Sequence, residues 1–108
     1  MSEYTPDRWV VIELDNSGVK HQRVFAGWYG GYLDGDSWKI NSGITKVEED
    51  AYTYHFHGKS GSIYHCNKSC YGMSMYMASI LEGFLSQQTD EMKISVVEGY
   101  DNGKKSRK

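Results

Sequence analysis

Histidine and cysteine concentrate in one stretch of the chain: His55-Phe56-His57, then His65-Cys66, then Cys70. These residue types are the usual ligands of zinc, and a His-x-His pair on a strand turns both rings to one face. A closed zinc site needs four ligands. No Cys-x-x-Cys pair is present, and the Cys66-to-Cys70 spacing is loose. The stretch therefore reads as sheet histidines and a buried cysteine, with no metal assigned. Cysteine nucleophile chemistry needs a thiolate beside a base. Cys66 directly follows His65, and adjacent strand residues point apart. A Cys66–Cys70 disulfide has workable spacing but is foreign to a reducing compartment. Gly58-Lys59-Ser60-Gly61 places Lys-Ser in a hairpin turn, with no helix following to cradle a phosphate. Asp34, Asp36, Glu48, Glu49 and Asp50 cluster near turns and read as solvated carboxylates. No catalytic constellation emerges, so the expectation is a non-enzymatic protein without a cofactor.

Aromatic residues suggest binding instead. Tyr outnumbers Phe nine to three, and phenol hydroxyls need polar partners, which favours half-exposed sheet and interface positions. Trp28, Tyr29, Tyr32 and Trp38 lie close together in sequence. On a sheet surface they would form a stacking platform or an anchor for a protein partner. The alternative is that Trp28 and Trp38 are core. Basic or titratable residues that could face such rings are Arg23, His55, His57 and Lys59. These eight residues form the candidate binding set.

Local patterning places these residues on strands. Residues 8–14, RWVVIEL, read as a strand; Asp15-Asn16-Ser17-Gly18 supplies a turn; residues 19–29 return as its hairpin partner. A turn near Leu33-Asp34-Gly35 leads to a short strand over 36–41, with a bulge at Ser42-Gly43 and another strand over 44–49. Residues 51–57 alternate, and 62–66 return after Gly58–Gly61. A four-residue turn there would pair His57 with Ser62, His55 with Tyr64 and Thr53 with Cys66, placing His65 on the Tyr54/Phe56 face. Met73, Tyr76, Met77, Ile80, Leu81, Phe84 and Leu85 repeat at helical spacing, with Ser69 or Gly72 as N-cap. A last strand covers 91–97. The fold class is α+β: an antiparallel meander sheet of five to six strands, one amphipathic helix on one face, and a C-terminal strand. The stripe predicts full burial of Ile80, Leu81 and Phe84. The other sheet face is left to solvent or to a second copy of the chain.

The 108 residues suit one domain over 1–100, followed by a basic tail over 101–108. Lys104, Lys105, Arg107 and Lys108 face only Asp101 there, so residues 1–100 carry more negative charge than the whole chain's −2. A net-acidic body disfavours nucleic acid except through that tail. No apolar run approaches the roughly 20 residues of a membrane span. The polar start and two cysteines suggest no signal peptide and a cytoplasmic setting.

Three segments carry a resemblance: Gly27-Trp28 with Gly30-Gly31-Tyr32, Gly35 to Ile44, and Gly61 to Cys66. Over residues 8–85 the chain resembles small uncharacterised non-structural proteins of tailed bacteriophages. The resemblance implies action in the cytoplasm of an infected bacterium, by binding a host or anti-phage-defence protein. The alternatives are sequestration of a nucleotide-like signalling molecule in an aromatic pocket, or nucleic-acid binding through the tail. It implies no catalytic residues.

Overall fold

The computed structural model describes residues 2–30 and 35–100. The chain forms β1 (Glu3–Tyr4), β2 (Arg8–Asn16), β3 (Val19–Trp28), β4 (Ser37–Ile40), β5 (Ile44–Glu49), β6 (Thr53–Gly58), β7 (Ile63–Asn67), a short 3-10 turn (Lys68–Cys70), α1 (Met75–Leu85) and β8 (Met92–Val96). The class is α+β, as expected. The single meander is not formed. The strands divide into an outer sheet, ordered β1-β7-β6-β5, and a central sheet, ordered β4-β3-β2-β8. β1 joins the outer sheet parallel to β7 and has no counterpart in the sequence reading.

Burial explains the division. Trp9, Val10, Val11 and Ile12 are all buried, so β2 is covered on both faces. Trp9, Val11, Val24 and Ala26 pack against Tyr54, Phe56, Tyr64 and Cys66 of the outer sheet. Val10, Ile12 and Phe25 pack against Met77 and Leu81 of α1. The face left to solvent or a second copy is thus covered by the chain's own second sheet. Leu81 is buried as expected, but Ile80 and Phe84 are only half-buried. Met77 occupies the deepest helix position, because it sits directly over Gly27: a Cβ there would lie 2.4 Å from its Sδ.

Local chemistry sets the turns. Asn16 pairs with Val19, leaving Ser17-Gly18 as a two-residue loop. Both residues have positive φ, 52° and 93°, as a type I′ turn requires. Asp15 Oδ1 accepts from the Gly18 N–H at 2.9 Å. The Ser74 side chain, rather than Ser69 or Gly72, caps α1 by accepting from the Met77 N–H at 3.1 Å. The turn expected at Leu33-Asp34-Gly35 falls largely outside the described residues, as do Tyr32 and the tail 101–108. Among the described residues, no helix is long and apolar enough to cross a membrane.

Candidate functional site

The β6–β7 register corrects the sequence reading. Gly58 N–H bonds to Ser62 C=O at 2.9 Å, so the loop is three residues long, not four. Gly61 closes it at φ 96°, the left-handed position of such loops. His55 therefore pairs with His65, Tyr54 with Cys66 and Phe56 with Tyr64. The one-residue slip brings His65 onto the outward face with His55 and His57, and turns Cys66 inward, away from both.

That outward face is a chain of paired rings and carboxylates. His55 Nδ1 lies 2.7 Å from His65 Nδ1. His55 Nε2 reaches Asp50 Oδ2 at 3.0 Å, and His65 Nε2 reaches Glu3 Oε1 at 2.7 Å. His57 Nε2 contacts Glu48 Oε1 at 2.8 Å. The His57 hydrogen bond, then the Lys46 charge, holds Glu48 below its ordinary range; the His55 bond, then the Tyr52 N–H, does the same for Asp50. Among the described residues no group of three or more His, Cys, Asp and Glu is set to hold a metal ion. Cys66 and Cys70 are free, and burial pushes the Cys66 thiol far up.

The aromatic platform is not assembled by the described residues. Gly27 pairs with Trp38 and Trp28 with Ser37, which puts the two indoles on opposite faces of the central sheet. Trp28 is half-buried toward the outer sheet, edge-on to Tyr4, with its Nε1–H donating to Thr5 C=O at 3.0 Å. Tyr29 is exposed, and its backbone N–H donates to Asp7 Oδ2 at 2.8 Å.

Trp38 belongs to a different feature. It stands 38% exposed, 5.5 Å edge-on from Phe84. The two rings line an apolar groove of about 530 Å³ with Ile80, Gly83, Met92 and Ile94. Gln87 and Gln88 form its polar rim. Exposed Glu82, Asp90 and Glu91 flank the segments that line it. The helical stripe revealed Phe84. It did not reveal the groove, because α1 covers only part of a sheet face whose edge strands, β4 and β8, lie far apart in sequence.

Arg23 and Lys59 meet at a second concavity. β4 and Asn41 pair with β3 only from Val24 onward, so the first half of β3 has no strand on that side among the described residues. The gap is a polar pocket of about 330 Å³ lined by Lys20, His21, Arg23, Ser42, Gly43 and Lys59, with no carboxylate in its wall among the described residues. The sequence reading included Arg23 and Lys59 but missed Lys20, His21 and Ser42. Among the described residues, His55, His57 and every Trp, Tyr and Phe stand outside its lining, which is cationic. No family model, curated protein or solved structure matches the chain.

Proposed function

We propose that the protein is a non-enzymatic binding protein that docks on another protein through the groove between α1, β4 and β8. The observation carrying this reading is exposed Trp38 set against half-buried Phe84 in an apolar trough. An aromatic anchor beside a hydrophobic groove is the common form of a protein-binding hot spot. Glu82, Asp90 and Glu91 around it favour a partner segment that is apolar on one side and basic at its flanks. In the setting implied by the phage resemblance, that partner is a host or anti-phage-defence protein in the infected bacterium.

Gly83 offers a direct test. It lines the groove, and nothing lies within 4 Å of the position a Cβ would take. A long side chain there fills the trough without disturbing the fold, and replacing a helical glycine gains roughly 1 kcal/mol of propensity. Affinity capture from bacterial lysate should retain a specific protein on the wild type and lose it on Gly83→Arg, with the melting temperature equal or higher. A captured protein insensitive to Gly83→Arg would place the contact elsewhere and remove the groove reading.

A further inference from the structure

We propose that the pocket beside the first half of β3 is a binding site for a mononucleotide. The proposal is independent of the docking groove.

Charge is the first ground. Lys20, Arg23 and Lys59 line the pocket, and among the described residues no carboxylate does. Lys20 has a long contact to Glu13, 3.7 Å. No ion pair engages Arg23 or Lys59 among the described residues. The Arg23 Nε is buried with no acceptor among the described residues, and Arg23 also borders an apolar crevice with Ile12, Leu14 and Ile40. A buried guanidinium N–H without a partner is costly, and an oxyanion satisfies it with a charge-assisted bond. The chain as a whole is net negative, so this patch is a local exception that would concentrate a small anion.

Preorganisation is the second ground. Ser42 Oγ accepts from the Ser60 N–H at 2.9 Å, and Gly43 C=O accepts from the Lys59 N–H at 3.1 Å. The Lys59 loop is therefore tied to the β4–β5 corner. Asn41 holds that corner from inside, its Oδ1 accepting from the Val24 N–H at 2.9 Å. The backbone that carries Lys59 is held before a ligand arrives, which lowers the entropy lost on binding.

The strand edge supplies the third ground, and it names the ligand class. Val24 directs both its N–H and its C=O toward Asn41. Backbone direction alternates along a strand, so Gln22 and Lys20 direct theirs the same way. No strand lies there among the described residues. The pocket thus offers a donor and an acceptor side by side, next to cations. Inorganic phosphate chiefly accepts hydrogen bonds. A nucleobase edge uses both, and its phosphate takes the cations. At about 330 Å³ the pocket lies near the lower bound for small-molecule sites and suits one nucleotide, not an oligonucleotide.

The experiment is a titration of the full chain, followed by amide chemical shifts, with AMP, GMP, CMP and UMP, and with inorganic phosphate and adenosine as separate arms. At least one nucleotide should move the amides of residues 20–23, 42–44 and 59 with a dissociation constant below about 1 mM. Phosphate and adenosine should each bind at least about tenfold more weakly. Arg23→Gln and Lys59→Gln should each weaken the nucleotide by about tenfold, the loss expected for one charge-assisted hydrogen bond, with melting unchanged. Three outcomes would overturn the proposal: no nucleotide moving those amides, phosphate alone binding as tightly as the nucleotide, or unchanged nucleotide affinity in both variants. Gly83→Arg leaves this pocket intact, so its nucleotide response separates the pocket from the docking groove.

Discussion

Single side chains on the outward face couple protonation to folding. Glu48 and Asp50 hold their protons less readily folded than unfolded, because His57 and His55 hydrogen-bond to the carboxylates. A depressed carboxylate stabilises the fold above its unfolded value, here 4.5 for Glu48 and 3.8 for Asp50, and the contribution fades as pH falls through the lower folded value. Both groups are solvent-exposed, so the effect on each is modest. Thermal melts from about pH 6 down to about pH 3 should fall less steeply in Glu48→Gln/Asp50→Asn than in the wild type; parallel slopes would mean these bonds do not form. Cys66 provides a second residue-scale prediction. Its thiol is fully buried among Tyr54, Phe56 and Tyr64, and burial raises its pKa. In native protein, iodoacetamide should label Cys70 and leave Cys66 unmodified until denaturant is added. Rapid labelling of Cys66 under native conditions would contradict its inward register. The residue types in this cluster were legible from the sequence, but their grouping was not. A loop of three residues rather than four moved His65 to the other face, and a spacing pattern alone does not choose between those loops.

Elements were read well where their own chemistry dictates them. Ser17-Gly18 can adopt the left-handed pair a two-residue hairpin needs, and the β2–β3 register follows from it. The stripe from Tyr76 to Leu85 lies on a helix, whereas Met73 precedes the Ser74 cap. What it did not show is which members of the stripe go deepest. Ile80 and Phe84 face the groove, whereas Met77 goes under because Gly27 leaves a hole in β3. β1 was not legible at all. Two residues carry no periodicity, and their pairing with Ile63 and Tyr64 depends on a strand nearly sixty residues away. The helix–sheet contact has a direct test in Gly27 and Met77. Gly27→Ala should destabilise by about 1–3 kcal/mol through overpacking, and Met77→Ala by about 2–5 kcal/mol through the cavity it leaves. The double variant should lose clearly less than the sum, since each change relieves the other. Strict additivity in urea melts would mean the two side chains do not meet.

At the scale of the molecule, the central sheet is the shared wall of two cores. β2 shows this in sequence as an unbroken apolar run, Trp9-Val10-Val11-Ile12, where a half-exposed strand would alternate. That run is compatible with a strand covered on both faces, and the missing cover was within the chain itself. Trp9 ties the layers most directly. Its ring meets Tyr54, Phe56 and Tyr71 at centroid distances of 5.9, 5.4 and 4.7 Å, and its Nε1–H donates to Asn67 C=O at 2.7 Å. Tyr71 adds a second tie: its hydroxyl accepts from the Val11 N–H and donates to Val97 C=O. β2 backs the outer sheet on one face and α1 on the other, so the two cores share a strand and are expected to unfold together. Native-state hydrogen exchange should therefore give the amides of Val10 to Ile12 and those of Tyr54 to Phe56 one common opening free energy, equal to global unfolding. The edge strands β1 and β8 should open at lower energy, having a partner on one side only. Trp9→Ala should lower the common value by about 3–5 kcal/mol in both sheets together. If the outer-sheet amides exchanged far faster than those of β2 in the wild type, the two sheets would be separate folding units. Trp9→Ala would then weaken one set of amides and leave the other unchanged.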